Sequence, residues 1–361
     1  PSSPADRSPP FPPPFPAPTS RRSSSCGVLP RVAAPDLTKI ATPGLWTTGP
    51  GARDPLHRAR VLPEVLSWKQ VTAKYGTSDK ARAAVRRTEI RRVLHDAYVE
   101  AAVPDAAATR VAALRRVLPA DVVLSHWAAL WALGLDVLPR DRDKVEQLDV
   151  TVPRSRHLER RPGVRPHCAL LPDHELCEVG GLLVVSAERA VVDVARTFGL
   201  VEGVACGDAA LRAGATTVPL IEAALSGARG LRHVTVARAA VPLLEPRAES
   251  LMESRLRVGF VLEGGPRMRA QVDLCDENGS WCGRADLFLD GVVVEYDGRE
   301  ARLERGRFTS DRRRGNAFAN LAVEVRRFSA DDYYKTSARQ RLRELEKALE
   351  LARERRPRYV F

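Results

Sequence analysis

The chain has 361 residues, 44% of them hydrophobic, and carries a formal net charge of +12. That length can fill two or three domain cores, and the positive balance points to a polyanionic partner. No apolar run approaches the ~18 residues of a membrane span and no signal-type hydrophobic segment is present, so a helical membrane protein is excluded and the cytoplasm is the expected compartment.

Arginine richness also fits a plain compositional bias, so charge alone leaves nucleic acid as one of two readings. Residues 1–57 open PSSPADRSPPFPPPFPAPTSRRSSS, a Pro/Ser-rich run without periodicity, and are expected to be disordered. The next segment, 60–102, is patterned. Ser67 with Gln70 three residues on is a capping box that opens a helix over WKQVTAKY, ended by Gly76. Thr77 or Ser78 caps a second helix, DKARAAVRRTE, and RRVLHDAYV then alternates like a hairpin turning at His95-Asp96.

Helix, glycine turn, basic helix and hairpin is the layout of a winged helix-turn-helix, in which the second helix enters the major groove. Lys80, Arg82, Arg86 and Arg87 lie on or around that helix, and Arg91 and Arg92 lead into the wing. Arginine suits both base edges and phosphates, so these are the candidate DNA-binding residues and DNA is the expected partner. The other reading is a small helical pair with ordinary surface charge.

Residues 108–242 read as an α+β region. LSHWAALWALGL is a helix with Ser125 as N-cap and Gly134 as stop, and Trp127 and Trp131, one turn apart, are expected in the core. QLDVTVP reads as a strand, and SAERAVVDVARTFGL and EGVACGDAALRAG as amphipathic helices. Cys206 on the latter is expected to pack as a small hydrophobe. His126 is read as a structural histidine. His167, Cys168, His174 and Cys177 form a loose cluster without the regular spacing of a zinc knuckle. No catalytic constellation is read here. Cys275 and Cys282 flank the turn DENGS, and in a cytosolic chain both are expected to stay reduced.

Residues 245–361 form the last predicted domain. EPRAESLMESRLRVGF reads as a helix with Glu249 and Glu253 at i, i+4 on one face. Three strands follow, about 268–275, 281–289 and 292–297, then a helix in RFTSDRRRGNAFANL with Asn320 as a left-handed cap, a strand AVEVRRF, and one long helix over SADDYYKTSARQRLRELEKALELARER. Asp290-Gly291 is a strong hairpin-turn signal. With these two residues as the loop, Leu289 pairs with Val292, Phe288 with Val293 and Leu287 with Val294. Continuing that register puts Asp286 opposite Glu295 and Arg284 across from Asp297. Facing carboxylates repel unless a cation lies between them.

Helix, three antiparallel strands, helix and strand is the core order of the restriction-endonuclease-like, PD-(D/E)XK-type fold. RAESLMESRLR, GRADLFLDGVVVEYDGRE, DRRRGNAFANL and VEVRRFSADD together resemble the domain of very-short-patch-repair endonucleases. The front half, with its winged helix, SHWAALWALGL, VTVP and SAERAVVDVAR, is similar to AbiEi-type antitoxins. The resemblance implies a multidomain chain of α/β and α+β class, with an N-terminal winged helix-turn-helix, an α+β middle region and a C-terminal restriction-endonuclease-like domain. It also implies Mg2+ or Mn2+ at Asp286 and Glu295, with Asp297 joining them or orienting a water, and Glu253 or Glu249 reaching in from the preceding helix; the metal would activate a water for phosphodiester hydrolysis. Arg299, Arg312 and Arg313 are the matching phosphate contacts, and Asp311 and Arg312 match the family's DxxR-like helix start. Two features depart from that pattern: the run after Gly298 is REARLERG where the family has a histidine, and Asp297 stands where an ExK motif has lysine. Two functions therefore stay open, a Mg2+-dependent DNA endonuclease and an antitoxin-like DNA-binding regulator without chemistry. A second copy of the chain and, on the regulator reading, a cognate toxin are the further candidate partners.

Overall fold

The structure is a computed structural model that describes residues 62–118, 122–137, 148–152, 164–297, 315–355 and 357–361. The predicted disordered run 1–57 lies outside the described residues, and the described residues all fall in one compact unit. The described chain mixes helices with three sheets, the α/β and α+β character expected.

The first segment follows its local signals closely. Helix α1 (Trp68–Tyr75) starts on a complete capping box: the Gln70 amide donates to Ser67 Oγ at 3.2 Å and the Ser67 amide to Gln70 Oε1 at 2.8 Å. Gly76 ends it. Thr77, the first of the two candidate caps, opens α2 (Ser78–Arg86) by accepting from the Lys80 amide. Strands β1 (Ile90–Leu94) and β2 (Ala97–Glu100) pair antiparallel around His95-Asp96, and Leu66 bridges to Tyr98 as a third short edge. Asp96 also accepts from the Trp68 amide at 2.7 Å, which ties the hairpin turn to the start of α1. Val71, Ala81, Ala84 and Ile90 form the small core between them.

The middle region is built on a five-stranded sheet in the order β5-β4-β3-β7-β6. After helix α3 (Ala107–Val117) come β3 (Val123–Leu124), α4 (His126–Ala132), β4 (Leu148–Val152), β5 (Val164–Cys168), β6 (Leu176–Val179) and β7 (Leu182–Val185). Helices α5 (Ala187–Phe198), α6 (Leu200–Arg212), α7 (Val218–Gly227) and α8 (Val234–Ala240) follow. Trp127, Trp131 and Cys206 are buried in one large core, which also takes in Leu94 and Ala97 of the N-terminal hairpin.

Helix α9 (Leu251–Leu262) leads into β8 (Arg269–Cys275), β9 (Trp281–Leu289), β10 (Val292–Asp297), helical residues 315–320 (α10) and β11 (Glu324–Ser329). The sheet order is β11-β10-β9-β8, with β11 parallel to β10 and the other pairs antiparallel. The hairpin register is the one expected, Leu289 with Val292, Phe288 with Val293 and Leu287 with Val294. Asp290 and Gly291 both have positive φ, 44° and 81°, the backbone that a two-residue type I′ loop requires.

Four local expectations are corrected. Helix α9 is N-capped by Ser250, so Glu249 lies before the helix and does not share a helical face with Glu253. The left-handed residue after α10 is Ala322, φ 57°, rather than Asn320. The terminal helix is two, α11 (Ala330–Lys335) and α12 (Ala338–Arg355). Thr336 turns extended, Ser337 recaps the chain through the Gln340 amide, and the Arg341 guanidinium takes up the carbonyls of Asp332, Tyr333 and Thr336 that end α11. Arg284 pairs with Asp273 across β8 rather than facing Asp297, because the β9–β10 ladder stops at Leu287–Val294.

A buried polar seam joins α6 to α9. Asp208 accepts from the Glu245 amide at 2.6 Å, from Ser254 Oγ at 2.7 Å and from Arg257 at 2.8 Å. Beside it Arg255 makes a bidentate pair with Glu202, at 2.9 and 2.7 Å. Burial pushes the Asp208 carboxyl above the ordinary carboxylate range, outweighing the pull of Arg257.

Candidate functional site

Three sets of side chains are candidates for a functional role. The first is the acidic set at the hairpin. Where the β9–β10 ladder ends, the half-buried Asp286 turns its Oδ2 to accept from the Tyr296 amide at 2.9 Å. Glu295, on β10 and buried, accepts at 2.8 Å from Nε of Arg327, its register partner on β11. Glu253, buried in the first turn of α9, accepts through Oε2 from the Glu249 amide and from Gln271 Nε2, each at 2.9 Å. Gln271, with φ 50°, sits between the ladder pairs Ala270–Leu287 and Val272–Ala285, at the register position facing Asp286. Glu253 thus reaches Gln271, which faces Asp286, while Asp286 and Glu295 stand on neighbouring strands β9 and β10. Asp297 stands half-buried at the end of β10 across from Ser329. Arg299, Arg312 and Arg313 lie outside the described residues, as does Asp311.

The second set is basic. Lys80, Arg82, Arg86 and Arg87 all face solvent, on and just after α2, while Ala81 and Ala84 of the same helix are buried. Arg82 pairs with Asp79 at 3.0 Å and Arg87 approaches Glu89 at 3.8 Å, exposed pairs that contribute little to stability and leave both guanidiniums available to a stronger anion. Arg82, Arg86 and Arg92 line one open groove of about 920 Å3 with Trp68, Val85, His95, Asp96 and Tyr98.

The third set was not legible as a site. Asp149 and Thr151 are polar positions in a strand, β4, that is buried along its whole length. In the parallel ladder with β5, Asp149 pairs with Arg165 and Thr151 with His167. His167 Nε2 lies 2.7 Å from Asp149 Oδ1, and Arg165 approaches the same oxygen at 3.6 Å. His126 stacks on His167 with ring centroids 4.0 Å apart. Its two nitrogens lie 3.0 Å from Ser125 Oγ and from Thr197 Oγ1. Among the described residues, His126, Asp149 and His167 are the one set of three whose potential ligand atoms all lie within 4.8 Å of one another. The loose Cys/His cluster read from the sequence does not assemble. Cys168 is exposed, whereas the Cys177 thiol turns to the Val184 carbonyl, with burial pushing it up to about 12.

Burial, reinforced by His167, Arg196, Arg189 and Arg165, pushes the His126 imidazole down to about 2, against about 6.5 in an unfolded chain. Between those values the unfolded state binds a proton that the folded state refuses. The stability contributed by neutral His126 is therefore complete above pH ~6.5 and is lost as pH falls below it, by up to about 1.4 kcal/mol per pH unit. Urea denaturation in chelating buffer is expected to show that slope, and His126→Gln to flatten it. An equally steep slope in the variant would place the acid sensitivity elsewhere.

No family model matches the chain. Two uncharacterized proteins of Mycobacterium tuberculosis, from strains CDC 1551 / Oshkosh and ATCC 25618 / H37Rv, are 29% identical to it over 180 residues. The match takes in 47% of this chain and 66% of each relative, so the chain spans less than two thirds of their length.

Proposed function

We propose that the chain is a DNA-binding protein whose N-terminal segment is a winged helix-turn-helix, with α2 as the helix that enters the major groove and the β1–β2 hairpin as the wing. The observation that carries this is the groove in which Arg82 and Arg86 of α2 meet Arg92 of β1 beside Trp68 and Tyr98. One face of α2 is fixed by small buried alanines and the other presents guanidiniums, the division of labour a groove-reading helix needs. The short edge at Leu66 completes the strand set of such a module.

The last segment is read as a restriction-endonuclease-like domain, on the order of α9, three antiparallel strands, α10 and a parallel fourth strand. Its acids do not fit a Mg2+ ion as they stand. Arg327 already occupies the cationic position beside Glu295, and no three ligand atoms of this set come within 4.8 Å among the described residues. This arrangement favours an antitoxin-like DNA-binding regulator over a Mg2+-dependent endonuclease.

Fluorescence anisotropy with a labelled duplex from upstream of the protein's own coding sequence tests the proposal. The Arg82→Ala/Arg86→Ala double variant is expected to bind at least ~10-fold more weakly, with a salt slope shallower by about 2. Unchanged affinity and slope would overturn the assignment of α2. In the companion assay, supercoiled plasmid with Mg2+ or Mn2+ should stay intact. Nicking that Asp286→Asn removes would reinstate the nuclease reading.

A further inference from the structure

The His126, Asp149 and His167 cluster is unrelated to DNA docking, and its chemistry is that of a ligand set. Asp149 is completely buried. Its Oδ1 is held by His167, while its Oδ2 has no hydrogen-bond partner among the described residues. A buried carboxylate oxygen without a partner is costly, and a carboxylate flanked by two imidazoles is stabilised by a cation.

His126 supplies an independent sign. It opens α4 with φ 51°, a left-handed backbone uncommon outside glycine. Such strain costs about 1–3 kcal/mol and persists where the surroundings require a side chain to point one way. Here it directs the imidazole into the core against His167, with Ser125 and Thr197 hydroxyls at its two nitrogens. Each hydroxyl can donate or accept, so either nitrogen can be the one that presents a lone pair.

We propose that His126, Asp149 and His167 bind a divalent transition-metal ion of the zinc class. Two imidazoles and one carboxylate form a nitrogen–oxygen set that suits Zn2+ and its neighbours, and three protein ligands leave a fourth position for water. Tetrahedral Zn2+ needs donor atoms about 3.3 Å apart. Turning His167 out of its stack on His126 would open its 2.7 Å approach to Asp149 and bring the three ligand atoms, now all within 4.8 Å of one another, to that spacing. His167 is 21% exposed and so forms the entry side.

The nearby cations that disfavour positive charge at His126 are offset by carboxylates of their own. Arg189 is paired with Asp193 and Glu175, and Arg196 with Asp193. Arg165 is partly exposed and rests 5.1 Å over the Phe198 ring, free to leave Asp149 when a metal arrives.

The test uses the full chain, treated with chelator, desalted, and titrated with Zn2+ and with Co2+ as a spectroscopic probe. One equivalent is expected to bind, with Co2+ giving the visible d–d bands of a four- or five-coordinate site. His167→Gln, at the partly exposed position, should weaken binding at least ~10-fold while its thermal unfolding in chelator stays that of the parent. Asp149→Asn should do the same to binding, and Cys168→Ser/Cys177→Ser should leave it unchanged. Absence of a one-equivalent site, full binding by His167→Gln, or loss of binding in the cysteine double variant would each overturn the proposal.

Discussion

Asp208→Ala is expected to lower the unfolding free energy by about 3–5 kcal/mol, the cost of removing one partner from a buried charge pair. Asp208 is fully buried and accepts from Arg257, Ser254 and the Glu245 amide. Without it the Arg257 guanidinium, itself buried, keeps its charge and loses its carboxylate, and an amide just before α9 loses its acceptor. Asp208→Leu combined with Arg257→Met should recover most of the loss, because well-packed apolar pairs replace buried ion pairs at little or no cost. Urea midpoints of the two variants measure the difference. A single variant within about 1 kcal/mol of the parent would mean that the seam between α6 and α9 is open to water.

Gly203→Ala is expected to cost about 3 kcal/mol net, despite a gain of about 1 kcal/mol in helix propensity. A β-carbon at Gly203 would lie 2.3 Å from Ala195 Cβ and 2.7 Å from Ala195 Cα. The second of these is backbone, so α5 and α6 would have to separate along their length. Gly207, one turn on, would meet only the end of the Leu244 side chain at 2.4 Å and Val191 Cγ1 at 3.4 Å. Leu244 can turn aside, so Gly207→Ala should cost about 1 kcal/mol or less. Thermal melts of the two variants test the order. Equal losses would show that α6 yields as a whole rather than at its closest approach.

The features that the sequence displayed well are those set by neighbours a few residues away. The Ser67–Gln70 box, the Thr77 cap, the Asp290-Gly291 loop and the three β-strand ranges of the last segment all depend on local sterics and hydrogen bonds. What was hidden depends on where distant strands stop and what lies beside them. The alternation that set Asp286 against Glu295 held for three pairs and then gave way, because Asp286 itself takes the Tyr296 amide. Arg327, which meets Glu295, arrives from a strand 32 residues away. The terminal pattern ran unbroken through Thr336, yet Arg341 folded back to end one helix and Ser337 began another. His126, Asp149 and His167 come from three separate elements, and only the parallel pairing of β4 with β5 brings two of them together. The polar Asp149 and Thr151 in an otherwise apolar strand were the one visible trace.

The pairing pattern of the last sheet also sets the order in which it can form. The β8–β9 and β9–β10 turns join neighbours in sequence, so that meander closes small loops at small entropic cost. Strand β11 instead aligns six residues with β10 in parallel, from Val292 with Glu324 to Asp297 with Ser329, after a long crossover. Glu295 therefore stays without Arg327 until the crossover has closed. Without β11 the edge of β10 would stand open, and β11 both covers that edge and brings Arg327 to its buried acid.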